Sequence, residues 1–234
     1  MFKFLKEMFD AVKEGANEGL AEANQEIAAE AAVKNEKKAQ AVAALARRLA
    51  TTPQAERMAA ALAAPYRETF LLELESAATD QRPAVYLFCA GLADNEVTSW
   101  KDLLARDFDV SSSADAEMVI AGLMADISPA TSNSAVAVAL CRAAHVATGA
   151  AGIGYVPIGQ ALDWCLPLVD LAASRFSAWE AYGQAFLAGE ANAPGSNMLG
   201  RKFLARAVKR LNENAASPWR SIPWPAVASP GTNA

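Results

Sequence analysis

At 234 residues, with 53% hydrophobic and 20% charged content, the chain is long and apolar enough to bury a sizeable core, which excludes disorder throughout. A formal net charge of -5 argues against nonspecific nucleic-acid binding by the surface as a whole. Cys89, Cys141 and Cys165 include no Cys-x-x-Cys pair and leave an odd one out, so neither a disulfide framework nor a zinc knuckle is expected and the setting is read as a reducing cytoplasm.

In the first fifty residues, rich in Ala, Glu and Lys, the apolar side chains Phe2, Leu5, Met8, Phe9 and Val12 recur three or four apart, the spacing of an amphipathic helix. Charges interrupt every apolar run there, so a secretory leader is not expected. Gly15 and Gly19 weaken the pattern, and Leu20, Ala23, Ile27 and Ala31 continue a thinner stripe suited to docking or a coiled-coil seam. Thr51-Thr52-Pro53 closes this arm, and a further helix is expected to about residue 64. Pro65 opens a helix over residues 66–76, Asp80 to Pro83 make a loop, and the apolar segment 84–92 is read as helix because no other segment alternates convincingly.

Ser99 with Asp102, and Ser177 with Glu180, have the spacing of a reciprocal N-terminal cap, predicting two helices with Trp100 and Trp179 in their first turns. Ser113 is expected to cap a helix reaching residue 126, closed by Ser128-Pro129. The remaining helices are expected over residues 132–148, 158–175 with a kink at Pro167, from Trp179, and over 197–214, with a glycine-rich turn after the first. No residue between Arg142 and Asp163 is charged, but Gly149, Gly152, Gly154, Pro157 and Gly159 interrupt that interval, which reads as two buried helix pieces and a turn rather than a membrane span. Past Ser217, prolines 218, 223 and 225 favour an extended strap carrying Trp219, Ile222 and Trp224 along the body. The fold class is therefore all-α: a helical N-terminal region over 1–82, a compact multi-helix domain over 83–226, and a disordered tail over 227–234.

Arg142 on a helix, the Gly154-Tyr155 turn, then Phe176, Ser177, Trp179, Tyr182 and Gly189, and a Trp-containing tail form a pattern that resembles bacterial domain-of-unknown-function family 1266, which contains the YbeU-like and YbeR-like proteins. The resemblance covers roughly residues 97–224, with the stretch from Trp100 to Val110 matching an early Trp-containing helix and turn. It implies an all-helical bacterial protein and supplies no reaction. Relatives carry Trp-Asp shortly before the helix arginine, where this chain has Val138 and Ala139, so the resemblance implies that any polar site built on that Asp is missing here.

His145, the only histidine, lies one turn after Cys141, a spacing that would suit a Cys-His dyad or, with Cys165, a metal site. Both stand in an alanine-rich run with no acidic orienter in register, so they are read as core residues, and no catalytic group, metal or cofactor is assigned. Gly149 to Gly154 has the order G-x-x-G-x-G with no Lys-Ser/Thr after it, which reads as an inter-helix turn rather than a phosphate cradle. Trp179, Tyr182 and Phe186 fall on one helix face and are read as core, an aromatic ligand slot being the other reading.

Two surfaces remain. Arg201, Lys202, Arg206, Lys209 and Arg210 make a basic helix, in contrast with Glu7, Asp10, Glu14, Glu18, Glu22, Glu26 and Glu30 at the other end of the chain. The basic helix suits an acidic protein or a phosphorylated ligand, while the face of Phe2, Leu5 and Phe9 suits a groove on a partner or a second copy. Those acids outnumber Lys3, Lys6 and Lys13, so attraction to anionic lipid is not expected. The resulting expectation is a noncatalytic protein-interaction module with a protein partner or a homo-oligomer, and no nucleic acid. The alternative is an enzyme or small-molecule-binding protein with Arg142, Tyr155, Asp163 and Trp179 lining a pocket.

Overall fold

A computed structural model of the chain describes residues 53–73, 94–194 and 196–224, together with scattered positions between 25 and 47. Two compact units result, Met1–Ala41 and Val42–Ala234. In the first, residues 27–33 are helical, and Ile27 and Val33 stand open to solvent. The faces read at Phe2, Leu5 and Phe9, the segment 84–92 and the tail beyond Ala226 lie outside the described residues.

Every regular element described in the second unit is an α-helix. In chain order these are α1 (Gln54–Ala61), α2 (Ala64–Glu73), α3 (Asp94–Phe108), α4 (Ser113–Ala125), α5 (Asn133–Gly152), α6 (Ile158–Arg175), α7 (Trp179–Ala191), α8 (Met198–Glu213) and α9 (Pro218–Ser221). α5 is the core helix, packed by α1, α2, α3, α4, α6 and α7, while α8 closes over α2 and α7 and carries α9. Its alanines and glycines make this possible, since small side chains let several helices approach one axis closely. α5 is long and apolar enough to cross a membrane by length and composition, and 67% of its most apolar window is buried by protein. α1 and α2 enter the same core as the later helices.

The helix starts differ from the Ser-x-x-acid reading, each for a local reason. Asp94 to Thr98 are already helical, so Ser99 and the fully buried Trp100 sit inside α3. The α7 cap is Ala178, with no side-chain bond. Burial of both Phe176 and Trp179 sets the entry to that helix, and two aromatic rings outweigh a cap of about 1 kcal/mol. Ser112 rather than Ser113 caps α4, accepting from the Asp115 N–H at 3.2 Å while Asp115 accepts from the Ser111 N–H at 3.0 Å.

α5 runs four residues past its expected end. Gly149 stays helical, with Leu104 and Arg67 in ordinary contact distance of where a Cβ would stand, so burial in the core overrides the glycine propensity. The turn comes at Gly154, whose φ of 83° is a left-handed value that glycine adopts freely. The expected extended strap is also corrected at Trp219. Ser217 caps, Pro218 takes the first helical position without needing an N–H, and α9 is a single helical turn. Extended backbone resumes only at Ile222.

The aromatic groups of this end bond backbone directly. Trp179 donates to the Ile222 carbonyl (2.7 Å), Trp219 to Ala61 (3.1 Å) and Trp224 to Phe176 (3.0 Å), while Trp179 and Trp219 stack with centroids 5.3 Å apart. α7 approaches α5 at Gly189, where a Cβ would overlap the Ser134 carbonyl and come within 2.6 Å of Val138 Cγ2. Gly189→Ala is therefore expected to cost about 1–3 kcal/mol, whereas Gly159→Ala in α6, which meets nothing within 4 Å, leaves stability equal or raises it. Urea unfolding of the two variants side by side checks this.

Candidate functional site

α2 places three consecutive polar side chains about 100° apart around its axis, so each meets a different neighbour. Tyr66 points at α5 and α7, where its hydroxyl donates to Glu190 Oε1 (2.6 Å) and accepts from Arg142 Nε (3.2 Å). Arg142 Nη2 closes the ring on the same Oε1 at 3.1 Å. Arg67 turns into the core, bonding Thr148 Oγ1 (2.5 Å) and the His145 carbonyl (3.2 Å), with its guanidinium carbon 4.5 Å from the centre of the Trp100 ring. Glu68, buried, pairs with Arg210 Nε of α8 at 2.8 Å.

The Tyr66, Arg142 and Glu190 network forms one wall of a cleft of about 550 Å³ between α2, α3, α5, α7 and α8. Trp100, Leu103 and Phe108 of α3 supply an apolar wall, Leu204 of α8 another, and Arg106 and Asp107 stand at the rim in a two-bond ion pair of 2.6 and 2.8 Å. His145 lines the cleft inside an aromatic cage, its ring centroid 5.1 to 5.3 Å from those of Trp100, Phe108 and Tyr66. Its Nδ1 is buried and has no hydrogen-bond partner among the described residues. Its volume falls within the range of ligand pockets, and aromatic walls there meet a few convergent polar groups.

Burial, and then the nearby Arg67 charge, hold the His145 imidazole well below its ordinary value, so it is neutral at pH 7. Burial above all, aided by the Glu190 carboxylate, keeps Tyr66 a phenol by raising its hydroxyl. For Arg142 burial is outweighed by Tyr66 and Glu190, which hold its guanidinium above the usual value. Arg67 is pushed down to about 9 by burial, still above neutral pH. Burial likewise raises the thiols of Cys141 and Cys165, the latter to about 12, so neither is a thiolate nucleophile. Among the described residues no group of three or more His, Cys, Asp or Glu side chains is arranged to hold a metal ion.

Of the residues expected to line a pocket, Arg142 does so and the other three lie elsewhere. Trp179 is enclosed in the aromatic cluster beneath α9, Asp163 is exposed on α6, and Tyr155 is half-buried at the α5–α6 turn with Lys101 over its ring at 5.9 Å. Tyr66 and Glu190 were missed. Each is an unremarkable helical residue in sequence, and nothing in its spacing announces a meeting across 124 residues. On α8, Arg201, Lys202, Arg206 and Lys209 are exposed, whereas Arg210 is committed to Glu68 and Lys209 stands 3.9 Å from Glu213.

A second recess, of about 460 Å³, lies on the other side of Arg142 and includes Val138, Ala139, Ser134, Asp126 and Asn192 in its lining. Arg142 thus separates two hollows, and the carboxylate it meets is that of Glu190.

The described residues define an all-α protein with a polar ring in one wall of an aromatic cleft. Residues 3–224 match the family described as Protein of unknown function (DUF1266), and the chain belongs to that family. The match takes in the N-terminal helices as well as the later stretch whose motifs carried the resemblance. No curated protein and no solved structure matches the chain.

The caged histidine has a consequence for stability. Below its ordinary pKa of 6.5 the unfolded chain binds a proton at His145 that the folded chain refuses, so stability falls as pH drops through and below that value. The slope approaches about 1.4 kcal/mol per pH unit for one proton. His145→Phe, which keeps an aromatic ring in the cage, is expected to flatten the urea-midpoint profile between pH 6.5 and 5. An unchanged slope in that variant would place the effect on other groups.

Proposed function

We propose that this protein binds a small molecule in the cleft between α2, α3, α5, α7 and α8. The observation that carries the reading is the Tyr66, Arg142 and Glu190 ring, in which a tyrosine hydroxyl, a guanidinium and a carboxylate from three helices converge on one wall of a preformed hollow. Aromatic side chains beside it provide area for a flat ligand, and the polar ring provides orientation. Nothing in this arrangement calls for a covalent step, because the two described thiols are protonated and the histidine is neutral and caged. The reading is that of a binding protein, in a bacterial cytoplasm where buried, unpaired Cys141 and Cys165 stay reduced.

Arg142→Ala is expected to leave a folded protein and to weaken a cleft ligand at least about tenfold, the loss of one charge-assisted hydrogen bond. Thermal-shift screening of a metabolite library, followed by titration of each hit into parent and variant, measures this. Equal affinity in the variant for every hit would sink the reading.

A second reading, that the protein is an interaction module, rests on α8. Met198, Leu199 and Phe203 are exposed there among Arg201, Lys202 and Arg206, an apolar strip with a basic border. That pattern suits the apolar face of an acidic amphipathic helix from another protein or another copy. If so, Leu199→Glu with Phe203→Glu abolishes capture of a stoichiometric partner while leaving the melting temperature within a few degrees. Retention of the same partner by the double variant excludes this face.

A further inference from the structure

Among the side chains that line the cleft, the charges pair off. Arg142 is matched by Glu190 and Arg106 by Asp107, each pair in direct contact, and the caged histidine adds no charge. Arg67 stands behind Trp100, outside the lining, with its Nη2 given to Thr148 and the His145 carbonyl. A ligand carrying a net charge would leave one member of these pairs unbalanced beside the aromatic surface of Tyr66, Trp100 and Phe108, which is costly.

The polar ring is also incomplete. Its three bonds engage the Tyr66 hydroxyl, Glu190 Oε1, and Nε and Nη2 of Arg142. Glu190 Oε2 and Arg142 Nη1 have no hydrogen bond among the described residues, although Glu190 is only 13% exposed and Arg142 38%. Arg142 Nη1 therefore keeps its donors and Glu190 Oε2 its acceptor capacity on side chains that line the cleft, next to aromatic surface from Tyr66 and Phe108. An acceptor beside a donor, on a flat uncharged body, is the complement of those groups.

Resting on the cleft reading above, we infer that the ligand class is an uncharged planar aromatic or heteroaromatic with an amide or lactam edge, its carbonyl accepting from Arg142 Nη1 and its N–H donating to Glu190 Oε2. Such an edge makes both bonds without disturbing either ion pair. A carboxylate offers Glu190 no donor, and an amidinium offers Arg142 no acceptor.

Three isosteric probes separate the possibilities: benzamide, benzoate and benzamidine share one ring and differ in the charge and polarity of one group. Each is titrated to millimolar concentration into the full chain, and backbone and side-chain resonances are followed by NMR. Benzamide is expected to bind about tenfold or more tighter than either ion, moving resonances of Tyr66, Phe108 and Glu190. Glu190→Gln leaves the cleft with one excess positive charge and is expected to shift preference toward benzoate, while Arg142→Gln shifts it toward benzamidine. A merely structural role for these two residues would instead weaken all three probes in parallel, and that result overturns the inference.

Preference for benzoate or benzamidine in the parent also overturns the amide edge while leaving a small-molecule cleft standing. So does failure of all three probes when a library hit still moves the Arg142 and Glu190 resonances. Failure of the probes together with hits that map only to other surfaces removes both the ligand class and the cleft reading.

Discussion

Pro65 has no N–H to give the Ala61 carbonyl four residues earlier, and much of the fold is arranged around that gap. The helix breaks between α1 and α2, and the orphaned carbonyl accepts from Trp219 Nε1 while the neighbouring Leu62 carbonyl accepts from the Tyr182 hydroxyl at 2.8 Å. Both donors come from the C-terminal third of the chain. A buried carbonyl without a partner costs more than an ordinary hydrogen bond contributes, so the break obliges α7 and α9 to cover it. The stacked Trp179 and Trp219 then follow from that position, and the Ile222 carbonyl is where the Trp179 indole finds its acceptor.

The same break sets the rotation of α2. Tyr66, Arg67 and Glu68 leave it in three directions, to the α5–α7 pair, to the core at Thr148 and Trp100, and to α8 at Arg210. Three polar residues in succession look like an exposed turn, yet Arg67 and Glu68 are each about 1% exposed. Long side chains resolve the conflict by carrying their charges to partners on other helices, and the guanidinium face of Arg67 is offered to an indole rather than to water. A buried ion pair of this kind adds little net stability, whereas separating it by shifting α8 would leave Glu68 a buried charge without Arg210, which is costly.

The sequence was legible where one helix explains itself. The all-α class, α6 running from Ile158 through Pro167 to Arg175, the extent of α8 and the buried face of Trp179, Tyr182 and Phe186 follow from periodicity and apolar spacing. It misled where two helices decide together. Ser99-x-x-Asp102 has the right spacing for a cap, but α3 is already helical from Asp94, and Gly149 continues α5 in a core where Leu104 and Arg67 pack beside it. The site was half legible for the same reason. Arg142 stands out as a lone charge in an apolar helix, whereas Tyr66 and Glu190 look ordinary until the fold brings them together, and Asp163 and Trp179, though close to Arg142 in sequence pattern, turn to other faces.

Gly189 shows how packing and site are one constraint. It lets α7 settle against the backbone of Ser134, and the next residue along α7 is Glu190, which meets Arg142 two turns further along α5. A bulkier residue at 189 would push the helices apart by more than the slack in a 3.1 Å ion pair, so the carboxylate and guanidinium would part before the core lost its apolar contacts. Tyr66 would then lose the acceptor of its 2.6 Å bond, leaving a buried phenol unsatisfied on the cleft wall. The glycine in the family-like pattern thus acts on the candidate ligand site without touching it, by fixing the distance at which a carboxylate from one helix can complete a ring begun by two others.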